Sequence, residues 1–268
     1  MTISTAAALL AALALAAEAP ATAPAMSALP DPLGDLLAAL GKLTARTPAS
    51  ARFTVRYENS TGEGKDQVKV GGEVSGELAD SAAGLEIRWG RALLAQAHEE
   101  ERRHAVNPEA PTPTRDGLAQ VQSIELANRL DAAASLRDEL GRATLVEVKE
   151  EPLDGVPARV LVLKLAPALQ ARERRYVKDL DAVGKIWLGA DGLPLAAEAR
   201  VIGKGRIFLI ISFETEIRQA WRFTRVGDRL VAVRFEDERR WEGAGDRGER
   251  KSATALELLP VAAPAPAP

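Results

Sequence analysis

A chain of 268 residues has room for one large β-rich domain or two smaller ones. Its formal net charge of −3, from 35 Lys and Arg against 38 Asp and Glu, gives no sign of a nucleic-acid binder or an acidic tail. The chain has no cysteine, which excludes disulfides, a thiol nucleophile and a Cys-linked lipid anchor; stability must come from core burial, which 46% apolar residues can supply.

Ala6 to Ala17 is an unbroken run of Ala and Leu followed by small residues and prolines, the pattern of a secretory signal peptide. The run is shorter than the roughly 20 apolar residues of a membrane span. A cleavage site of the A-x-A kind stands at Ala23-Pro24-Ala25, with Ala19-Pro20-Ala21 as an earlier option, although no Lys or Arg precedes the run. Residues 1–25 are read as a signal peptide, 26–260 as a single domain, and 261–268, where Ala and Pro alternate, as a disordered tail. An exported chain without cysteine fits a soluble protein of a bacterial periplasm.

Met26 to Pro30 reads as a linker, and Asp31-Pro32 gives an N-cap with proline at the first helical position. Leu33, Leu36, Leu37, Leu40 and Leu43 follow at helical spacing and predict an amphipathic helix packed on a sheet. Phe53, Val55 and Tyr57 alternate with Arg52, Thr54 and Arg56 in a first strand. After a turn over Asn59 to Lys65, Val68, Val70, Gly72, Val74, Gly76 and Leu78 keep the period of two in a second, and Leu85, Ile87 and Trp89 make a third. From Arg91 the pattern becomes helical and ends before Asn107-Pro108, with an entirely charged stretch at Glu99 to Arg103. Pro108 to Pro113 reads as a loop. A helical segment from Thr114 carries Leu118, Val121, Ile124 and Leu130, and Asp131 caps a further helix to Gly141. Leu145 to Glu147 and Ala158 to Leu165 flank Leu153-Asp154-Gly155 as a hairpin, and residues 166–182 form a polar connection containing Arg172, Arg174 and Arg175.

Val183 to Leu258 reads as an antiparallel meander. Gly184 to Leu188 leads to a tight turn at Asp191-Gly192. Pro194 to Ile202 follows, with Gly203-Lys204-Gly205 as the next reversal. Ile207, Leu209, Ile211 and Phe213 keep one face apolar and predict a central strand. Glu214 to Ala220 allows either a polar turn or one long bent strand. Trp221 and Phe223 share a face before the turn at Gly227-Asp228, and Val231, Val233 and Phe235 repeat the alternation. Asp237 and Arg239 then occupy inward positions, which predicts a bulge or strand end. A last strand runs from Ser252 to Leu258 after a glycine-rich loop. Helix, three strands, helical insertion, hairpin and meander make the chain α+β.

In this organisation the chain resembles the outer-membrane lipoprotein carrier superfamily, with its LolA-like, LolB-like and RseB-like domains. The resemblance lies in the exported start, the helix at Pro32 to Leu43, the early strands at Ala51 to Leu78, the helical interruption, the hairpin around Leu153-Asp154-Gly155, and the strand-turn-strand at Ile186 to Pro194. It implies a strongly curved antiparallel sheet, an incomplete barrel, with helices covering its concave face around a hydrophobic cavity. It also implies a carrier or binder of lipid or lipoprotein acyl chains. RseB-like relatives suggest the alternative of an envelope sensor module that binds a protein partner through charged strands.

No residue cluster specifies a reaction, and neither a cofactor nor a metal is expected. The two histidines, His98 and His104, lack the His-Glu-x-x-His spacing, since Arg102 stands where the second His belongs. Gly62-Glu63-Gly64-Lys65 lacks the first glycine and the Ser or Thr of a phosphate loop. Glu236-Asp237-Glu238 is followed directly by Arg239 and Arg240, so paired carboxylates are not isolated there. Arg222 and Arg234 point outward with Arg229 in or beside the turn between them, where lipid headgroups or an anionic partner could meet them. Phe53, Val55, Trp89, Trp187, Leu209, Ile211, Trp221 and Phe223 are the candidate cavity-lining residues, because they occupy the inferred apolar faces of a sheet that short helices cannot easily fill.

Overall fold

The computed structural model describes residues 31–260 apart from 64–66, 168, 170–172, 208–210 and 244. The proposed signal peptide, the Met26–Pro30 linker, Arg172, Leu209 and the Ala/Pro tail lie outside the described residues, and for Ile211 only the backbone is described. The chain is mainly β. In order it forms α1 (Pro32–Gly41), β1 (Ala49–Thr61), β2 (Val68–Ser81), β3 (Gly84–Trp89), α2 (Arg91–Val106), α3 (Pro113–Ala119), α4 (Ser123–Leu130) and α5 (Ala132–Leu140). There follow β4 (Thr144–Leu153), β5 (Val156–Lys164), β6 (Val177–Leu188), β7 (Pro194–Ile207), β8 (Ile211–Val226), β9 (Arg229–Gly243) and β10 (Asp246–Leu259).

All ten strands join one open antiparallel sheet in the order β3-β2-β1-β10-β9-β8-β7-β6-β5-β4. Each strand pairs with its neighbour in sequence except at one step: β3 and β4 stand at opposite edges, and β1 pairs with β10 instead. The connection from β3 to β4 must therefore cross the width of the sheet. It does so as α2 to α5 on one face, with α3 against β2, α4 and α5 against β9, α2 resting on α3, and α1 resting on α5.

Local chemistry sets the ends of these elements. The Asp31 side chain accepts a hydrogen bond from the Gly34 N–H at 2.9 Å, and Pro32 opens α1. Asp154 and Gly155 both have positive φ, 52° and 84°, as the two-residue turn between β4 and β5 requires. Alternation along the strands sends one set of side chains beneath the helices. Leu36 and Leu40 of α1 and Leu140 of α5 pack with Leu161, Leu163, Ile186, Ala197 and Phe223. Leu126 and Leu130 of α4 pack with Phe53, Val55, Val74, Leu78 and Leu256.

The expected element order is the observed one, but the meander differs in detail. β7 runs through Gly203-Lys204-Gly205 without reversing. Gly205 is there for close approach, since a Cβ on it would lie 2.0 Å from the Tyr176 carbonyl oxygen. β7 ends at Ile207 and β8 begins at Ile211, and these two residues are paired, so the apolar run is divided between two antiparallel strands. The run is not a single central strand. Glu214 to Ala220 is part of one long strand, β8. β9 continues past Asp237 to Gly243, and the register shift lies earlier, between Arg222 and Phe223 opposite Val233. β6 starts at Val177 and so takes up the end of the expected polar connection. The helical segment after Thr114 divides into α3 and α4, leaving Ile124 exposed.

Candidate functional site

Three cross-strand rows on the helix-bearing face define the site. Val55, Thr254, Phe235 and Trp221 stand side by side across β1, β10, β9 and β8. One step along the strands come Tyr57, Ser252, Asp237 and Gln219, and a step further Asn59, Arg250, Arg239 and Ile217. The face therefore grades from apolar through polar to cationic. Asp237 and Arg239 do point inward; the broken alternation marks a change in what the face contacts, not the end of the strand.

Above these rows α4 and α5 stand off from the sheet and leave a cavity of about 420 Å³. Leu126, Arg129, Ala132 and Leu136 form its roof, and Val55, Trp221, Phe223, Phe235 and Asp237 its floor. The volume lies within the roughly 300–1,000 Å³ of small-molecule sites. Trp221 and Phe235 lie with ring centroids 5.3 Å apart, so the floor is a continuous aromatic surface.

Arg129 is the cation in the roof, which also carries Glu125 and Glu139, and its side chain is only 12% exposed. Its guanidinium carbon stands 4.3 Å from the Phe235 ring centroid. Nη1 donates to the Glu125 carbonyl at 3.1 Å, Nη2 is 3.7 Å from the Glu125 carboxylate, and the buried Nε–H has no partner among the described residues. Burial pushes its pKa down, against the opposing fields of Glu125 and Asp237. Asp237 is itself occupied: Gln219 Nε2 donates to it at 2.8 Å and Arg239 lies 4.0 Å away. Arg250 donates to the Gln120 side-chain oxygen and faces Arg239 directly across the β9–β10 pair.

Of the sequence-predicted site residues, Val55, Trp221 and Phe223 line this cavity. Phe53 and Trp89 share the same face but make closed core, edge to face at 5.2 Å and 83°. Trp187 lies on the opposite face, 4% exposed, packed with Val160 and Ala196 beneath Leu153. Its neighbour Ile186 points into the helix side, so in the observed register Trp187 faces away from the cavity. Phe235, Arg129, Asp237, Arg239 and Arg250 complete the site. Their signal in the sequence is the loss of parity after Phe235.

The open face carries a hollow of about 830 Å³ whose rims are charged. Many of those charges engage one another. Glu216 holds Arg200 and Arg218 at 2.6 and 2.9 Å, Arg240 bridges Glu238 and Glu249 at 2.5 and 2.7 Å, and Lys185 holds Glu151 at 3.0 Å. Arg222 pairs with Asp154 and Arg234 with Glu236, whereas Arg229 is buried against Asp80 at 2.7 Å. Glu236 and Glu238 point to this face and Asp237 to the other, so the three carboxylates do not converge. His104 Nδ1 lies 3.1 Å from the Ala110 carbonyl, and among the described residues no group of three metal-ligating side chains gathers. No protein-family model, curated protein or solved structure matches the chain.

Proposed function

We propose that the protein is a periplasmic carrier or binder of lipid or lipoprotein acyl chains, held between α4–α5 and the sheet. In this reading the sheet is strongly curved, an incomplete barrel with the helices on its concave side, and no catalytic step takes place. The observation that carries the proposal is the cavity with an aromatic floor at Trp221, Phe223 and Phe235, over which Leu126, Ala132 and Leu136 stand among the polar side chains of the roof. An alkyl chain entering it gains about 25 cal/mol per Å² of apolar surface removed from water, less the cost of association. Among the described residues no helix is long and apolar enough to cross a membrane. Localisation follows from the apolar run at Ala6 to Ala17.

Native mass spectrometry of the protein purified from periplasm is the test. The expected spectrum contains lipid adducts, and the expected N-terminus lies between Thr22 and Ser27. Protein recovered from the cytosol with Met1 in place defeats the export reading. Lipid-free protein that also refuses a fluorescent fatty acid defeats the carrier reading in favour of a protein-binding module.

A further inference from the structure

Three arginines, Arg129, Arg239 and Arg250, line the cavity beside three carboxylates, Glu125, Asp237 and Glu139, and the hydrogen-bonding capacity of the arginines is incompletely used among the described residues. Arg129 is nearly enclosed, and its Nε–H has no acceptor among the described residues. Arg239 and Arg250 are directly opposite on neighbouring strands, an arrangement that costs stability when both side chains carry the same charge. Asp237, which lies in the next row, is held by Gln219 and is 4.0 Å from Arg239; among the described residues Arg250 has only the neutral Gln120 oxygen. Glu125 meets Arg129 at 3.7 Å from an exposed position. A buried guanidinium needs hydrogen-bond acceptors for its N–H fork, and an anionic oxygen pair is the group that matches that fork.

We infer that the cavity selects amphiphiles with an anionic head, whose carboxylate or phosphate oxygens bind Arg129 from within the cavity and Arg250 and Arg239 at its polar end. This rests on the proposal that the cavity takes an acyl chain, and it adds the chemical class of that ligand. The rows fix the orientation: the alkyl chain lies over Trp221 and Phe223, and the head lies beside Arg129, whose guanidinium covers the Phe235 ring, on the side of Arg239 and Arg250. The carboxylate of a fatty acid and the phosphate of a lipid headgroup share this chemistry.

The test uses the full chain and four probes: decanoate, decyl phosphate, decanol and inorganic phosphate. Titration calorimetry gives affinities, and the tryptophan emission that disappears in Trp221→Phe reports occupancy of the cavity. The expected result is that decanoate or decyl phosphate binds at least about tenfold more tightly than decanol, the scale of one charge-assisted hydrogen bond. The stronger of the two identifies the head. Arg129→Gln should bring the ratio of anion to decanol affinity close to one, a ratio that loss of a merely structural cation–π contact would not move. Arg250→Gln, at the exposed mouth, should reduce the preference without lowering the melting temperature, and it keeps the test valid if Arg129→Gln does not fold. Equal binding of decanol and the anions, or a preference that survives both substitutions, overturns the inference and leaves the acyl-chain reading standing. Inorganic phosphate binding as tightly as decyl phosphate overturns it in favour of a free-anion site. Binding of none of the amphiphiles overturns both.

Discussion

Glu100 illustrates what a single side chain does here. It lies on α2 in a run of charges, yet it is 2% exposed, because its Oε2 accepts the backbone N–H groups of Thr114 and Arg115 at 2.8 and 3.0 Å. Those are among the unsatisfied donors at the start of α3, so one carboxylate joins two helices. Burial alone would raise its pKa; the Arg115 and Thr114 donors and Gln96 outweigh burial and hold it below the usual value of 4.5. A depressed folded-state pKa contributes stability that is present above the unfolded value and lost as pH falls through the folded one. Glu100→Gln should therefore lower the urea-derived stability by about 1–3 kcal/mol at neutral pH. The gap to wild type should narrow as pH falls below 4.5 and through the lower folded-state value; a gap of constant size across that range contradicts the assignment. From sequence the run Glu99 to Arg103 reads as a solvated helix end, and nothing in it distinguishes Glu100, since its partners lie fourteen and fifteen positions away. The same holds for Arg229, which reads as a turn residue but is buried against Asp80 and the Thr47 carbonyl.

At the scale of elements, turns were legible where their chemistry is local. Asp154-Gly155, Asp191-Gly192 and Gly227-Asp228 each contain a positive-φ glycine, and each joins two strands as expected. The boundary between β7 and β8 was not legible, because it falls in an apolar run without Gly, Pro, Asn or Asp, while Gly203-Lys204-Gly205 supplied a false signal three positions earlier. The two glycines separate under mutation. Gly205 is packed under the Tyr176 carbonyl and the Phe213 ring, whereas a Cβ on Gly203 meets only Leu180 Cδ1, at 3.9 Å. Neither has positive φ among the described residues. Gly205→Ala should cost about 1–3 kcal/mol by overpacking. Gly203→Ala should be neutral, or stabilising by about 0.4–1 kcal/mol through the unfolded chain. Chemical denaturation of both variants checks the pair, and equal effects would restore the reading of this tripeptide as a turn. The site was partly legible for a related reason. Alternation placed Val55, Trp221 and Phe223 on the cavity side, but it put Trp187 there too, because the face of an isolated apolar strand depends on its register with neighbours.

The molecule as a whole is held together at the pairing of β1 with β10. Everything from β4 to β10 follows sequence order, and β1 to β3 do as well; the two groups meet only along the register from Ser50↔Leu259 to Thr61↔Gly248. That junction runs beside the cavity, since Val55 and Thr254 form part of its wall. The N-terminal strands therefore cannot form their share of the site until the last strand of the domain is in place. A long loop must close first, and such nonlocal pairing slows folding. A chain cut after Gly243 lacks β10, exposes β9 as an edge and leaves β1 paired only to β2. It should show no sigmoidal urea transition and should lose its near-ultraviolet circular dichroism. A synthetic peptide spanning residues 246–259, added in trans, should restore both, because the missing strand has a complete row of backbone partners on each side. If the truncated chain unfolds cooperatively at the wild-type midpoint, β10 does not join the two halves of the sheet. If the peptide restores the transition but not amphiphile binding, folding and the ligand site are separable, and the wall formed by Thr254 contributes nothing to uptake.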